Sequence, residues 1–241
     1  MHFRSERLTA FRKAHEIFRR ELYQDGGRSV PILSALHEAL GTLGTTSHNC
    51  LGCNFGNLTD SFDQVLSSLN GHTDINAPYF TYILWLYLYV ERYDQVMNYL
   101  QVPAGYRQRH FRSFQRIRRW ANFIKHPKSF LFSHHARYFH GGEVGDEGFV
   151  IEDDTVQINS DFVNVYYAGG KKNNNLAAML NNATKVLVIY PDPEALMENF
   201  AAETKAFVRL IEMNEVYREE LARITTTPDY FQEVHPDDDS E

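Results

Sequence analysis

The chain has 241 residues, of which 43% are hydrophobic, and its 24 Lys and Arg against 31 Asp and Glu give a formal charge of −7. This length predicts one large domain, or one domain with an insertion, and the hydrophobic content is enough to fill its core. The longest apolar stretch, residues 79–90, is shorter than the roughly 20 residues that a membrane span needs, so we expect no membrane association. The charged N-terminus has no signal-peptide pattern, which makes a cytoplasmic protein the expectation.

Helical periodicity dominates the first hundred residues. A stretch rich in Gly, Thr, Asn and Ser at 44–57 predicts a loop, after which Thr59 or Asp60 is expected to cap a short helix. Apolar spacing together with Gly and Pro boundaries predicts helices over residues 3–23, 31–41, 60–69 and 78–100.

Cys50 and Cys53 form a C-x2-C pair inside the predicted loop. Two cysteines cannot provide a disulfide framework. A structural zinc site needs four ligands, so this pair would bind metal only if two copies of the chain met there. The alternative is an incidental pair. His134, His135 and His140 could also form a metal cluster, but adjacent histidines point to different faces of a helix, so contacts with phosphate or RNA are the favoured interpretation there.

Residues 95–142, which we call the acid-free segment, contain no Asp or Glu but nine Lys or Arg and five His. The remaining residues therefore carry −16, from 15 basic and 31 acidic side chains. Solubility alone is better served by mixed charges, so this segregation predicts a surface that binds anions.

The strongest helical periodicity of the chain lies in the acid-free segment, at about 107–126. A 100° rotation per residue places four apolar residues on one face of this helix: Phe114, Ile117, Ala121 and Ile124. The opposite face is expected to carry Arg112, Arg116, Arg119, Asn122 and His126.

Short β-branched or alternating segments follow Gly142. Strands are predicted over 149–151, 155–158, 162–167 and 185–190, and helices over 128–138, 176–182 and 193–223. The predicted fold class is therefore mainly α. It is a helical bundle over residues 1–224 with a small α/β insertion at about 143–191, before the last long helix, and an acidic tail at 225–241.

Arg119 and His126, with Asn122 between them, resemble the motif of the HEPN superfamily of RNases and RNA-binding modules, in which a His follows an Arg after four to six residues. The run 120–128 is also similar to bacterial abortive-infection proteins of that superfamily, and the resemblance covers about residues 78–140. Trp120 stands where the family has a polar residue, so Arg116 and Arg118 are alternative positions for the arginine.

The resemblance implies a HEPN-like bundle with metal-independent endoribonuclease activity, in which Arg119, Asn122 and His126 are the catalytic residues. It also implies a homodimer in which two motifs line one cleft, and a role as a toxin or phage-defence effector, which would bring an inhibitor or sensor protein as a partner. No cofactor is implied. We expect the aromatic helix 78–100 to supply the apolar contact of the dimer.

The residue types suit this chemistry. A histidine titrates near neutral pH and can take the proton of a ribose 2′-OH, while an arginine stays charged and matches phosphate oxygens. Glu91 is expected to orient Arg119. Further supporting and RNA-binding positions are Arg116, Lys125, Arg112, Lys128, His134, His135 and Tyr138.

Two other functions are compatible with the same residues. One is a non-catalytic module that binds RNA or a nucleotide through the basic helix face. The other is a protein-interaction adaptor whose basic helix meets an acidic partner. Turnover of RNA in a chelator separates the enzyme from both, and steeply salt-dependent RNA affinity separates the two binding proteins.

Overall fold

The computed structural model describes residues 2–23, 51–69, 76–125, 135–138, 155–168 and 171–225. Its helices are α1 (His2–Phe18), which continues as a π-helical turn over Arg19–Tyr23, α2 (Leu51–Ser68), α3 (Asn76–Tyr99), α4 (Ala104–His110), α5 (Arg112–Lys125), α6 (Ser160–Tyr166), α7 (Asn174–Asn182), α8 (Pro193–Glu212) and α9 (Glu215–Thr225). Its strands are β1 (His135–Tyr138), β2 (Val156–Ile158) and β3 (Val186–Tyr190). The predicted fold class, mainly α with a small α/β element before the last long helix, is confirmed.

α3 is the central helix, because it packs against both α2 and α5 and its aromatic side chains fill the core. Tyr79, Tyr82, Tyr89 and Tyr93 are at most 3% exposed. The Tyr82 hydroxyl donates to the carbonyl of Pro193 at 2.8 Å, which joins α3 to the start of α8. The aromatic rings that we expected to form the dimer contact are therefore mostly buried in the core of one chain.

α1 packs along α8, which lies far away in the sequence. Lys13 pairs with Glu194 at 3.1 Å, and Lys205 pairs with Glu21 in the π-helical turn. On its other side, α1 is joined to α2 where Asp63 accepts a 2.7 Å hydrogen bond from the ring of His15. The helical bundle is thus closed by contacts between its first and its penultimate helix.

The sheet has the strand order β1-β3-β2, and both pairs are parallel. Ala136 and Ile158 both pair with Val188, so β3 is the central strand. α6 and α7 form the crossover between β2 and β3. The strands predicted at 155–158 and 185–190 are confirmed, whereas the helix predicted over 128–138 is wrong at 135–138, where the backbone forms β1.

The loop predicted at 44–57 is wrong from Leu51 onward, where α2 begins. Thr59 lies inside this helix and donates its hydroxyl to the carbonyl of Phe55 at 2.7 Å, so it is not a cap. A Cβ at Gly56 would meet nothing within 4 Å, so no close approach of another group requires glycine at this position of the helix. The helix is held in place by apolar burial of Phe55, Phe62 and Leu66.

The strand predicted at 162–167 is also wrong, because these residues belong to α6. Asn159 caps this helix by accepting from the backbone N–H of Phe162 at 2.9 Å. Val163 and Tyr166 are buried three positions apart, which is a helical spacing. The β-branched and aromatic residues that indicated a strand are also compatible with this helical spacing over so short a segment.

Two predicted helices are each divided in the structure. The helix expected at 107–126 consists of α4 and α5, with a break at Phe111, and the helix expected at 193–223 consists of α8 and α9, with a break at Met213 and Asn214. The predicted helix at 31–41, the predicted strand at 149–151 and the tail beyond 225 lie outside the described residues. None of the described helices is both long and apolar enough to cross a membrane.

Candidate functional site

α5 presents its apolar face to the core as predicted. Phe114, Ile117, Ala121 and Ile124 are at most 5% exposed. Trp120 and Phe123 are buried as well, at 1% and 4%, because α6 covers this side of the helix. The polar face of α5 is consequently narrower than the sequence indicated.

The first turn of α5 is fixed by a carboxylate from α8. Glu203 accepts hydrogen bonds from the backbone N–H of Ser113 at 2.8 Å and of Phe114 at 3.1 Å, and from the Ser113 hydroxyl at 2.6 Å. An anion at a helix N-terminus also interacts favourably with the helix dipole. Glu203 therefore sets the position of the helix that carries the candidate motif.

A pocket of about 410 Å³ opens between α3, α4, α5 and the turn after α6. Its charged lining consists of three guanidinium groups and one carboxylate, a net charge of +2. Its lining residues are Asp94, Met97, Ala104, Arg107, Gln108, Phe111, Phe114, Gln115, Arg118, Arg119, Asn122 and Tyr167. Two of the three predicted catalytic residues, Arg119 and Asn122, thus share one cavity.

Arg119 is half-buried in this pocket, and its Nη1 donates to the Oδ1 of Asn164 on α6 at 2.8 Å. The amide is uncharged, so it orients the guanidinium without neutralising it. One of the five guanidinium N–H donors is used by this bond, and the other four have no partner among the described residues. The predicted partner was different: Glu91 was expected to orient Arg119, and this is wrong, because Glu91 lies 3.8 Å from Arg118 instead.

Arg118 is the neutralised cation of the pocket. It forms ion pairs with both Glu91 and Asp94 of α3. These pairs occur because residue 118 lies 100° around the helix from Arg119 and faces the acidic end of α3. Arg118 accordingly ties α5 to α3.

Arg107 is a second cation without a carboxylate partner among the described residues. Its Nε donates to the carbonyl of Val102 at 2.8 Å, and its Nη1 donates to the Oδ1 of Asn98. Both acceptors are uncharged. We did not predict Arg107 as a site residue, because the predicted helix over 107–126 had no break at Phe111, and it is this break that allows Arg107 to enter the pocket from a separate helix. Its place in the acid-free segment was the one sequence signal available.

Tyr167, in the turn after α6, is one of the residues that line the pocket. Burial raises the pKa of its hydroxyl above the ordinary value, with a smaller contribution from neighbouring Tyr166. The hydroxyl is therefore neutral at physiological pH and is available as a hydrogen-bond donor.

Several predicted site residues lie away from the pocket. Arg112 and Arg116 are exposed on α5 and do not line the cavity. Lys125 places its ammonium 3.8 Å from the centre of the Tyr87 ring, a cation–π contact with α3. The basic face predicted for α5 is thus divided into a pocket side and a solvent side.

The remaining candidates lie outside the described part of the chain. This holds for His126, Lys128, His134, His140 and Cys50, and for the side chains of three residues whose backbone is described, Cys53, His135 and Tyr138. No group of three or more His, Cys, Asp or Glu side chains within the described part is arranged to hold a metal ion.

Comparison with known proteins does not assign the chain to a family. It matches no protein-family profile, no curated protein and no solved structure.

Proposed function

We propose that the protein is a metal-independent endoribonuclease that holds a phosphate of its RNA substrate with Arg119 in the pocket of α3, α4 and α5. The observation that carries this proposal is the state of Arg119. Its guanidinium is held in place by a neutral amide, it has no carboxylate partner among the described residues, and the pocket lining to which it belongs has a net charge of +2 with Arg119 included. A preorganised cation of this kind stabilises the charge that develops on phosphorus in the transition state.

The reaction needs a base, for which His126 is the proposed residue. It follows Lys125, the last residue of α5, and comes four positions after Asn122 in the sequence. In the proposed reaction, His126 takes the proton of a ribose 2′-OH and the 2′-oxygen attacks the adjacent phosphorus. The 5′-oxygen of the next nucleotide then leaves and takes up a proton, either from the protonated His126 or from water, which yields a 2′,3′-cyclic phosphate and a 5′-hydroxyl.

The biological setting is part of the proposal and rests on the HEPN resemblance. We propose a cytoplasmic homodimer in which two copies of α5 line one cleft, with a role as a toxin or phage-defence effector controlled by an inhibitor or sensor protein. Since most aromatic rings of α3 lie in the core, such a dimer would depend on surfaces other than those rings.

A non-catalytic RNA-binding module is the second candidate. The observation in its favour is that Arg107 and Arg119 are both held ready for an anion by contacts that do not involve a histidine. RNA affinity without turnover would establish this function.

The test is cleavage of single-stranded RNA in EDTA by the wild-type protein and by His126→Ala. We expect the variant to lose about 10²–10⁴ in rate, the usual size of a general acid–base contribution, while RNA affinity stays within a few-fold. Near wild-type turnover by His126→Ala would remove His126 from the mechanism. Activity that disappears with the chelator and returns with Mg²⁺ would overturn the metal-independent reaction.

A matched pair of arginines tests the register of the motif. Arg119→Ala should lose most of the cleavage activity, whereas Arg116→Ala should retain it, because Arg116 is exposed on the same helix and does not line the pocket. A greater loss with Arg116→Ala would show that the cleavage site lies on the solvent side of α5.

A further inference from the structure

The pocket contains more than a phosphate site requires. Arg107 and Arg119 enter it from two different helices, and each is oriented by a neutral acceptor. At least three N–H donors of Arg107 and four of Arg119 have no partner among the described residues. The ion pairs between α5 and α3 are made by Arg118, so Arg107 and Arg119 are not the cations that tie these two helices together.

Next to the two cations the pocket has an apolar floor. Met97, Phe111 and Phe114 line it and are at most 2% exposed. The rings of Phe111 and Phe114 are stacked, with their planes 9° apart and their centres 5.3 Å apart. The Phe114 ring also stacks on Tyr93, with ring centres 4.9 Å apart, so these rings are packed within the core and their small exposed part gives the pocket an apolar surface rather than a free stacking face.

Three side-chain amides complete the lining, from Gln108, Gln115 and Asn122. Each amide offers both donors and an acceptor, the combination that matches the edge of a nucleobase. Only Gln115 has a described hydrogen bond, a long one of 3.5 Å from its Nε2 to the carbonyl of Arg107. The pocket therefore combines charge, an apolar surface and edge-reading amides.

We propose that this pocket binds one nucleoside monophosphate unit, with its phosphate on Arg107 and Arg119 and its base over the apolar floor. The volume of about 410 Å³ lies in the range of about 300–1,000 Å³ that is usual for small-ligand sites. This inference rests on the proposed function, because the same pocket would hold the phosphate of the RNA. It adds Arg107 as a ligand-binding residue and a bound base as the source of selectivity.

The test measures binding of the four nucleoside 5′-monophosphates and of inorganic phosphate to the full chain by calorimetry. These nucleotides carry no 3′-phosphodiester, so they are not substrates of the proposed cleavage and their binding can be measured with the wild-type protein. We expect at least one nucleotide to bind about tenfold or more tightly than phosphate, because the base adds apolar contact. Equal affinities for phosphate and all four nucleotides would overturn the bound base.

Variants of α4 test the role of Arg107. Arg107→Ala should weaken nucleotide binding roughly tenfold or more, the loss expected for a charge-assisted hydrogen bond. Arg109→Ala is the matched control, because Arg109 is exposed on the same short helix and does not line the pocket. Equal losses in the two variants would show that only the general positive field attracts the ligand and would overturn the inference.

Because Arg107 also closes the turn before α4, a second pair of variants leaves it in place. Gln108→Glu adds a carboxylate to the pocket lining, while Gln95→Glu adds the same charge at an exposed position of α3 outside the lining. The first should weaken nucleotide binding about tenfold or more and the second should change it less than about twofold. Unchanged binding by Gln108→Glu would overturn the assignment of the pocket.

Competition separates the two sources of the ligand. If the nucleotide unit belongs to an RNA chain, free nucleotide should displace a labelled RNA oligonucleotide. If the ligand is a free nucleotide, the oligonucleotide should remain bound. A failure of this inference can be told apart from a failure of the proposed function. Arg107-dependent nucleotide binding without RNA cleavage would refute the nuclease but support the nucleotide pocket. RNA cleavage without nucleotide affinity would refute the nucleotide pocket but support the nuclease.

Discussion

Replacing Glu203 with alanine removes the carboxylate that holds the first turn of α5. Three donors lose their acceptor: the backbone N–H groups of Ser113 and Phe114 and the hydroxyl of Ser113. Ser113 is only 5% exposed, so bulk water does not replace the carboxylate freely. The prediction concerns a residue about 90 positions away from the helix that it stabilises.

The magnitude follows from the contacts. Leaving one buried donor unsatisfied costs about 1–3 kcal/mol, and a lost helix cap costs about 0.5–2 kcal/mol. The shortened side chain leaves space for a water molecule, which can accept hydrogen bonds from some of the three donors. The total loss of stability is therefore smaller than the sum of the separate costs. We therefore expect Glu203→Ala to reduce the free energy of unfolding by about 3 kcal/mol, equivalent to a Tm lower by roughly 6–12 °C for a chain of this size.

The assay is urea unfolding followed by circular dichroism, with Glu198→Ala as the matched control. Glu198 lies five residues earlier on the same helix and is exposed, so its removal should change stability by less than about 0.5 kcal/mol. A Glu203→Ala stability within about 0.5 kcal/mol of this control would refute the reasoning, because it would mean that the first turn of α5 is held by its own residues.

Three further predictions concern the site and the core. Arg119→Lys keeps the charge but loses the planar set of donors that bonds Asn164, so most RNA cleavage should be lost; full activity of this variant would show that charge alone suffices. Gln101→Gly should raise the free energy of unfolding by about 0.5–1 kcal/mol in urea titrations, because Gln101 has a left-handed φ of 53° at the turn after α3, and a loss of stability would contradict this account. Burial raises the pKa of Tyr89 well above its ordinary value and that of Tyr93 likewise, so the folded chain keeps protons that the unfolded chain releases above about pH 10. Stability should therefore fall as pH rises past about 10, and Tyr89→Phe should flatten that decline.

The long, strongly patterned elements were predictable from the sequence. α3 and β3 are within two residues of their predicted bounds, because an apolar run between Gly or Pro boundaries has few alternative structures. Some short segments were not predictable. Phe162 to Tyr166 is rich in the aromatic and β-branched residues typical of a strand, and only the cap at Asn159 and the packing against α5 make it a helix.

Part of the pocket lining was predicted. The sequence placed Arg119 and Asn122 together because both lie on one helix, where the angular spacing is known. It could not place Arg107 beside them, since that depends on the break at Phe111 and on the turn that precedes α4. It also assigned Glu91 to the wrong arginine, because a charge pair between two helices depends on how the helices are rotated against each other.

The packing of α1 along α8 has a consequence for synthesis on the ribosome. α1 ends at Phe18, whereas α8 ends at Glu212, so α1 emerges long before the helix that covers it. Translation adds about 5–20 residues per second. The side chains of α1 that are buried in the folded protein, among them Phe11 and Phe18, are therefore not covered by α8 for roughly 10–40 s. A nascent chain stalled before residue 193 would keep them uncovered, which makes α1 the expected binding segment for chaperones and the first source of aggregation in truncated products.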